Sequence, residues 1–306
     1  MDNRRFRTLN RELRKIFGEK IVKLSVNGDF TCPNRDGTLG NQGCLFCSEE
    51  GNGAFAGNPD ESITDQIQKQ IQNLSNKWKA RRYIVYFGSF TNTYDSVANL
   101  RAKYEEALAY PGVVGLAIAT RGDCLSDEVI QLLDEMNERC FLWVEIGLQT
   151  IHEHTISLIR RGYDMTLFFE RYHQLKRSRI RVVLHLIFGL PGETDQDMME
   201  TVDTVSHLQP WGVKFHLLHV LKNTELATLY DKGRVAMMDF ECYVNLVCNA
   251  LERLAPQIVV HRVTGDGKKE DLIAPLWSLN KMKVLSRINQ VLDERDTVQG
   301  RNFQIN

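Results

Sequence analysis

Short runs of apolar residues recur along the chain, and they are rich in β-branched and aromatic side chains. The runs are KIVKLSV (residues 20–26), RYIVYFG (82–88), VVGLAIA (113–119), LWVEIGL (142–148), IRVVLHLIFG (180–189) and GVKFHLLH (212–219). The apolar residues are largely continuous within each run. A strand covered on one face alternates between apolar and polar residues, whereas a strand covered on both faces does not. The pattern therefore predicts buried strands of a parallel sheet.

Segments with helical periodicity lie between these runs. The first begins after Ser62, a residue type that caps helices, and its apolar residues fall on one face. Those residues are Ile63, Ile67, Ile71, Leu74 and Trp78. Further helices are expected to begin near Ser96, Ser126, Thr166 and Thr194. Strand and helix alternate about six times over residues 20–235, and a full eight-unit barrel needs roughly 250 residues. We therefore predict an α/β fold, a partial (βα)6 TIM-like barrel.

Three regions are predicted from these patterns. Residues 1–22 form a basic N-terminal segment, residues 23–235 form the barrel, and residues 236–306 form a largely helical C-terminal extension. The extension contains a helix over 239–254, the short strand-like run QIVVHRV, the turn-rich run TGDGKKED and a last helix near 278–293. We expect it to pack on the barrel.

The overall charge excludes one class of function, and its distribution suggests another. The formal net charge of -1 argues against a protein that is basic throughout and binds polyanions with its whole surface. Residues 1–23, however, carry eight Lys or Arg and three Asp or Glu, a local charge of +5. The opening sequence lacks the apolar core of a signal peptide, and no apolar run has membrane-spanning length. We expect a cytoplasmic protein.

Three of the seven cysteines, Cys32, Cys44 and Cys47, lie in the stretch CPNRDGTLGNQGCLFC. A reducing compartment disfavours disulfides, which leaves metal binding or catalysis as the use of such a cluster. A structural zinc site would need a fourth ligand, which only a distant residue could supply. An iron–sulfur cluster held by three thiolates would keep one iron open for a ligand. The other four cysteines are isolated, and we interpret them as small buried apolar residues.

This arrangement resembles the radical S-adenosylmethionine (SAM) superfamily, in which three cysteines bind a [4Fe-4S] cluster and SAM chelates the fourth iron. Phe46 matches the aromatic residue of its C-x-aromatic-C pattern. The long spacing before Cys44 departs from the commonest C-x3-C-x2-C and resembles the branch of the Elongator catalytic subunit. The resemblance implies reductive cleavage of SAM to a 5′-deoxyadenosyl radical, with a flavodoxin- or ferredoxin-type protein as electron donor.

The resemblance also assigns the SAM pocket. Glu145, Gln149 and Arg161 match an E-x-G-x-Q…R signature, in which Gln149 contacts the SAM ribose and Arg161 its ribose or carboxylate. The turn after the second strand presents Gly88 and Ser89 to the methionine part. The adenine is approached by the Gly-Leu-Pro turn, Gly189, Leu190 and Pro191. Glu145 and His185 are the candidate catalytic side chains, although relatives often carry an acid where His185 stands.

Four further side chains and the basic segment are candidates for substrate binding. On a regular strand His216 and His219 would face opposite ways, so only one of them can line a given cavity. His261 and Arg262 precede a turn-rich loop that could hold a phosphate.

The resemblance extends to bacterial proteins associated with tRNA wobble-uridine modification, carboxymethylaminomethyl to aminomethyl. In that case the N-terminal arginines would hold the RNA backbone; they are Arg4, Arg5, Arg7 and Arg11. Two alternatives stay open: a radical SAM enzyme with a small metabolite or porphyrin-like substrate, and a non-catalytic, zinc-stabilised RNA-binding module.

Overall fold

A computed structural model describes residues 5–48, 51, 56–75, 79–265 and 267–304. The strands are β1 (Ile21–Val26), β2 (Arg82–Phe87), β3 (Val113–Thr120), β4 (Phe141–Gln149), β5 (Arg181–Phe188), β6 (Gly212–Leu217), β7 (Val220–Leu221), β8 (Val259–Arg262) and β9 (Leu272–Ala274). The α-helices are α1 (Leu9–Phe17), α2 (Ile63–Ser75), α3 (Val97–Ala109), α4 (Asp127–Arg139), α5 (Glu153–Leu158), α6 (Met165–Arg177), α7 (Asp195–Leu208), α8 (Glu225–Asp231), α9 (Phe240–Arg253) and α10 (Lys281–Glu294). Trp78, expected on the first helix, lies outside the described residues.

The main sheet confirms the predicted partial barrel. Seven strands pair in the order β1-β2-β3-β4-β5-β6-β8, and every pairing is parallel. Six of them are the predicted strands. The seventh, β8, comes from the strand-like run after residue 236 and pairs with β6. The C-terminal region thus contributes a strand to the barrel as well as packing on it. The described strands β7 and β9 form a separate antiparallel pair.

Burial on both faces explains the continuous apolar runs. Outward-facing residues of neighbouring strands, such as Leu116, Val144 and Leu184, are fully buried under the helices. Inward-facing residues alternate with them and line the lumen of the barrel. The helices begin where capping residues permit: Ser96, Ser126 and Thr194 each accept a hydrogen bond from a first-turn backbone N–H. Helix α6 begins at Met165 with Asp164 as its cap, one residue ahead of the predicted start.

Helix α1 closes the N-terminal end of the barrel. Its Leu13 packs in one buried cluster with Ile21, Ile84 and Trp143, which lie in the first halves of β1, β2 and β4. Thr8, just before the helix, forms a parallel bridge with Val260 of β8. The basic N-terminal segment therefore lies at the end opposite the carboxyl ends of the strands.

The two last long helices pack on the outside of the barrel. Residues of α9 and α10, among them Val247 and Ile288, belong to the main hydrophobic core. Arg253 of α9 pairs with Asp203 of α7 at 2.8 Å. Among the described residues, every helix is too short or too polar to cross a bilayer.

Candidate active site

The three cysteines lie in one loop that follows β1, at the carboxyl end of the barrel. Local hydrogen bonds fold it: Arg35 N–H donates to the Cys32 carbonyl at 2.8 Å, and Cys47 N–H donates to the Cys44 carbonyl at 3.0 Å. The Arg35 guanidinium donates to the carbonyl oxygen of Cys47 at 3.0 Å. The loop is thus folded back so that the first cysteine can reach the other two. This end of a βα barrel is where active sites are built.

The loop between α5 and α6 supports the cysteine loop. Asn34 Nδ2 donates to the carbonyl oxygen of Arg160 at 2.7 Å and lies 3.5 Å from Sγ of Cys44. Leu45 N–H donates to the carbonyl oxygen of Ile159 at 3.1 Å. Two loops that are more than a hundred residues apart in sequence are therefore held against each other beside the thiols.

The thiols of Cys44 and Cys47 lie in an environment that favours the neutral form until a cation arrives. Burial raises the pKa of Cys44 to about 11, and the neighbouring Cys47 adds to the effect. Burial also raises the pKa of Cys47, against the opposing influence of Arg35. Arg121 supplies positive charge: its Nη1 lies 3.9 Å from Sγ of Cys32. Binding a metal centre would offset the cost of three neighbouring thiolates.

The spacing of the sulfurs fits a cluster better than a single ion. Among the described residues, the side chains whose ligand atoms all lie within 4.8 Å of one another are His152, Asp197 and Glu200, and the three cysteines do not form such a group. Tetrahedral zinc with bonds of about 2.3 Å brings its sulfurs to roughly 3.8 Å from each other. A triplet with wider spacing suits the larger iron–sulfur cluster.

Gln149 is the residue predicted to contact the SAM ribose. It ends β4 with a φ of 62°, an uncommon conformation for a residue other than glycine. Its buried Oε1 has no hydrogen-bond partner among the described residues. A Cβ on Gly147 would clash with the Gln149 amide, so glycine at 147 provides the space that this side chain fills. Its amide can therefore serve a bound hydroxyl group.

Arg161 is buried and already hydrogen-bonded to the backbone, which its position in the sequence does not indicate. It is 2% exposed. Its guanidinium donates to the carbonyl oxygens of Leu148 at 2.7 Å, Thr150 at 3.1 Å and Tyr163 at 3.1 Å. These bonds fix the backbone around Gln149 and give Arg161 a positioning role, and its predicted contact with SAM stays a prediction.

Two other predicted turns lie at the same end of the barrel. Ser89 follows β2, is 1% exposed, and its Oγ has no partner among the described residues. Gly88 precedes it, where a Cβ would clash with the Tyr86 ring. Gly189 follows β5 with a left-handed φ of 85°, which glycine adopts without strain.

The Gly-Leu-Pro turn packs against the cysteine loop. Leu190 is buried in one apolar cluster with Leu45 and Ile159, and Phe46 packs against that cluster. Pro191 is partly exposed beside it. Phe46 thus joins the cysteine loop to the predicted adenine turn, so that residues assigned to one cofactor are neighbours in space.

Glu145 lies inside the barrel, fully buried, at the centre of a polar network. Its carboxylate pairs with Nζ of Lys214 and lies 2.9 Å from Nε2 of His185. Trp143 Nε1 donates to it at 2.8 Å. Burial alone would raise the pKa of Glu145, but Lys214, His185 and Lys23 hold it well below its usual range.

The network also changes His185, and it contains residues that sequence reasoning missed. Burial and the charge of Lys214 lower the pKa of His185 to about 4, although Glu145 opposes the change. Lys23, Tyr86 and Lys214 were not predicted. Each interrupts an apolar run that predicts a buried strand, which is the same signal that singles out Glu145.

The remaining candidate histidines have different surroundings. His216 lies in the lumen with its ring 5.1 Å from that of His185. His261 packs edge-on against Trp143 at 5.6 Å and Trp211 at 4.9 Å. Both tryptophans belong to or pack on the cluster at the N-terminal end of the barrel. His261 therefore packs at the closed end of the barrel, and its contact with a substrate stays a prediction.

Arg262 is the other candidate on β8. Burial lowers its pKa, while Tyr86 and Glu145 oppose that change. These neighbours place it beside the polar network. Asp266, in the glycine-containing loop predicted to hold a phosphate with it, lies outside the described residues.

The described N-terminal arginines lie at the closed end of the barrel, opposite the cysteine loop. Arg5 pairs with Asp293 at 2.5 Å and Asp296 at 2.9 Å, and Arg7 pairs with Glu12 at 2.7 Å. Arg11 is exposed on α1, and Arg4 lies outside the described residues. Arg5 and Arg7 thus have a structural role, whatever they bind.

Comparisons with known proteins identify relatives along almost the whole chain. The protein YtqA of Bacillus subtilis is 47% identical over 98% of this chain and 94% of its own length. The protein YhcC of Escherichia coli K12 is 36% identical over 94% of this chain and 92% of its own length. Over 39% of this chain and 22% of its own length, the tRNA uridine(34) acetyltransferase of Methanocaldococcus infernus is 32% identical.

The solved structures show the same fold. The Elp3 protein of Methanocaldococcus infernus superposes with a TM-score of 0.70 and 15% identity, covering 91% of this chain and 64% of that one. Residues 37–205 match the Radical SAM superfamily, and residues 210–294 match the Radical_SAM C-terminal domain. The chain therefore belongs to the radical SAM superfamily and is related to the Elongator catalytic subunit. Its cofactors are SAM and a [4Fe-4S] cluster.

Proposed function

We propose that this radical SAM enzyme acts on tRNA, where it converts the carboxymethylaminomethyl group at C5 of the wobble uridine to aminomethyl. The observation that carries the proposal is the similarity to a tRNA uridine(34) acetyltransferase, since position 34 is the wobble position. The Elongator complex protein 3 of Homo sapiens is similar too, 28% identical over 57% of this chain and 31% of its own length.

When bound, the cluster and SAM supply a carbon radical able to abstract hydrogen from an unactivated carbon. The protein contributes binding, orientation and the exclusion of water. Cys32, Cys44 and Cys47 hold the cluster. The Gln149 amide, with the turns at Ser89 and Gly189, holds SAM. A flavodoxin- or ferredoxin-type protein supplies the electron, in the cytoplasm.

The RNA-binding surface of the proposal includes a basic groove at the closed end of the barrel. The groove encloses about 570 Å³, and Arg5, Arg7, Arg11 and Lys15 contribute to its lining. Arg11 and Lys15 are exposed on α1. Such a concentration of charge on a nearly neutral protein suits a large polyanion.

Mass spectrometry of tRNA nucleosides from a deletion strain tests the function. We expect carboxymethylaminomethyl-uridine to accumulate and the aminomethyl form and its derivatives to disappear. Complementation with the wild-type gene or with Cys242→Ala should restore them, because Cys242 is exposed on α9. Complementation with Cys44→Ala should not. An unchanged nucleoside profile in the deletion strain would contradict the tRNA proposal and favour a small-molecule substrate.

A further inference from the structure

The lumen of the barrel holds more positive than negative charge. Lys23 of β1 and Lys214 of β6 both lower the pKa of Glu145. Among the described residues, Glu145 is the carboxylate that raises the pKa of each lysine in return. Lys214 is paired with Glu145. Lys23 has its ammonium 3.9 Å from the centroid of the Tyr86 ring and no carboxylate within salt-bridge distance among the described residues. Even with Arg262 set aside, two ammonium groups share one carboxylate.

An uncompensated cation in such a place is costly. Burial lowers the pKa of Lys23, and the nearby Arg262 lowers it further, against the favourable influence of Glu145. In a buried ion pair, the attraction between the two charges offsets the cost of removing them from water only when their geometry is good. A charge without such a partner keeps the full cost of desolvation. A side chain that served only to fill space could be Met or Leu at this position. The excess charge suits a lumen that receives an anion.

The lumen has a buried floor and an accessible upper part. Glu145 is fully buried and Lys214 is 3% exposed. Lys23, Tyr86 and His185 are partly exposed although all three face inward. Helix α1 and the cluster around Trp143 close the lower end. A ligand group must therefore enter from the carboxyl end of the strands, the end at which the cysteine loop lies.

The closed lower end of the lumen limits which kind of anion can bind there. A backbone phosphodiester has a nucleoside on both sides and does not fit into a blind lumen. A carboxylate at the end of a narrow side chain has no second nucleoside to accommodate, and its single negative charge would offset the excess of one ammonium group. Lys23 can donate to it, and the Tyr86 hydroxyl lies 3.4 Å from Nζ of Lys214, next to the same space.

We propose that Lys23, assisted by Tyr86 and Lys214, binds the carboxylate of the substrate side chain in the barrel lumen. The inference rests on the proposed function, whose wobble-uridine side chain ends in a carboxylate, and it adds the group that distinguishes substrate from product. Glu145 acts through Lys214 and His185, by holding both in place. A side chain anchored by its carboxylate would extend toward the open end of the barrel.

A substrate pair and a variant pair test this subsite together. Two synthetic anticodon stem-loop RNAs carry either the carboxymethylaminomethyl group or the matching carboxamide at the wobble uridine. With wild-type protein loaded with cluster and SAM, we expect KM to be about 10- to 100-fold lower for the carboxylate RNA, the range for a hydrogen bond to a charged group. Lys23→Met should raise KM for that RNA by a similar factor and leave KM for the carboxamide RNA nearly unchanged.

Three controls make the result specific. Lys23→Arg, which keeps the charge, should retain the preference for the carboxylate RNA. Lys69→Met, on the exposed surface of α2, should behave as wild type. SAM affinity should be equal in all variants. If Lys23→Met discriminates between the two RNAs as strongly as wild type does, the subsite is wrong.

A measurement without RNA separates this inference from the proposed function. If wild-type protein binds neither RNA, the tRNA proposal fails, and the subsite is judged with N-methylglycine, a small molecule with the same terminal carboxylate. Ligand-observed NMR should detect its binding to cluster- and SAM-loaded wild type and to Lys23→Arg, but not to Lys23→Met. Equal signals from wild type and Lys23→Met, or no signal from wild type, would overturn the subsite.

Discussion

Asn34 Nδ2 donates a hydrogen bond to the carbonyl oxygen of Arg160 at 2.7 Å and lies 3.5 Å from Sγ of Cys44. One buried amide thus joins the cysteine loop to the loop between α5 and α6. That second loop contains Arg161, whose guanidinium holds the carbonyl oxygens of Leu148 and Thr150 on either side of Gln149. The cluster ligands and the predicted SAM ligand are therefore positioned by one continuous set of hydrogen bonds.

Replacing Asn34 by Leu should weaken cluster retention without unfolding the barrel. The substitution leaves the Arg160 carbonyl unsatisfied, which costs about 1 to 3 kcal/mol locally. We expect less iron per chain after anaerobic reconstitution and gel filtration, with one cooperative unfolding transition whose midpoint falls by only the few degrees that this cost implies. Asn58→Leu, at an exposed turn between Cys47 and α2, is the matched control. Full iron content in Asn34→Leu would show that this amide does not position the ligands.

The pair of Glu145 and Lys214 predicts strong non-additivity in stability. Either Glu145→Gln or Lys214→Met leaves the other charge buried, and such changes cost about 3 to 5 kcal/mol. The double variant removes both charges and should be less destabilised than the sum of the single variants. Denaturant unfolding of the four proteins measures the coupling. Additive losses would mean that the two side chains do not interact in the folded protein.

The parts of the fold that follow from local pattern were predictable. Six of the seven strands in the main sheet and the helices between them follow from runs of apolar residues and capping side chains. The seventh, β8, is only Val259–Arg262 and pairs with β6 across the intervening α9. Its membership in the sheet depends on long-range pairing, which a short apolar run does not specify.

Site residues that belong to a sequence motif were predictable. Contacts that depend on how side chains pack in the folded protein were less predictable. The cysteine triplet and Gln149 follow β1 and end β4, at the carboxyl end of the barrel, and their contacts with the cluster and SAM stay predictions. Arg161 has the expected spacing but is enclosed by backbone carbonyls, a detail of loop conformation that spacing cannot reveal. Lys23 and Lys214 could have been found by the argument applied to Glu145, since a charged residue inside a buried strand needs a polar lumen.

The lowered pKa of His185 predicts how stability depends on pH. In the unfolded chain this histidine titrates near 6.5, whereas in the folded protein its pKa is about 4. Between those values the unfolded state binds more protons, so the stabilising contribution is present above about pH 6.5 and is lost as the pH falls toward 4. The contribution of His185 is at most roughly 3 kcal/mol.

Substitution by Gln isolates this contribution, because Gln can still donate a hydrogen bond to Glu145 and does not titrate. The free energy of unfolding of wild-type protein should fall between pH 7 and pH 4.5, and His185→Gln should show a shallower fall. His173→Gln, on the exposed side of α6, serves as the control. The same pH profile for wild type and His185→Gln would contradict the lowered pKa.

The basic groove on α1 gives a prediction that depends on salt. Arg11 and Lys15 are exposed there, whereas Arg5 and Arg7 already pair with acidic side chains of this chain. The first two are therefore the better test of RNA binding, because their removal breaks no internal ion pair among the described residues. Removing one cationic side chain that binds an RNA phosphate should reduce the slope of log affinity against log salt by about 0.7 to 0.9.

The double variant Arg11→Ala/Lys15→Ala should thus bind tRNA more weakly and with a slope lower by up to about 1.8, because two cationic side chains are removed. Cleavage of SAM without RNA should be unaffected, because α1 lies at the end of the barrel opposite the cysteine loop. Lys69→Ala/Lys283→Ala removes the same charge from two other exposed positions and should retain the wild-type slope. Filter binding across a salt series measures both the affinity and the slope. Equal slopes for wild type and the α1 variant would place the RNA on another face of the barrel.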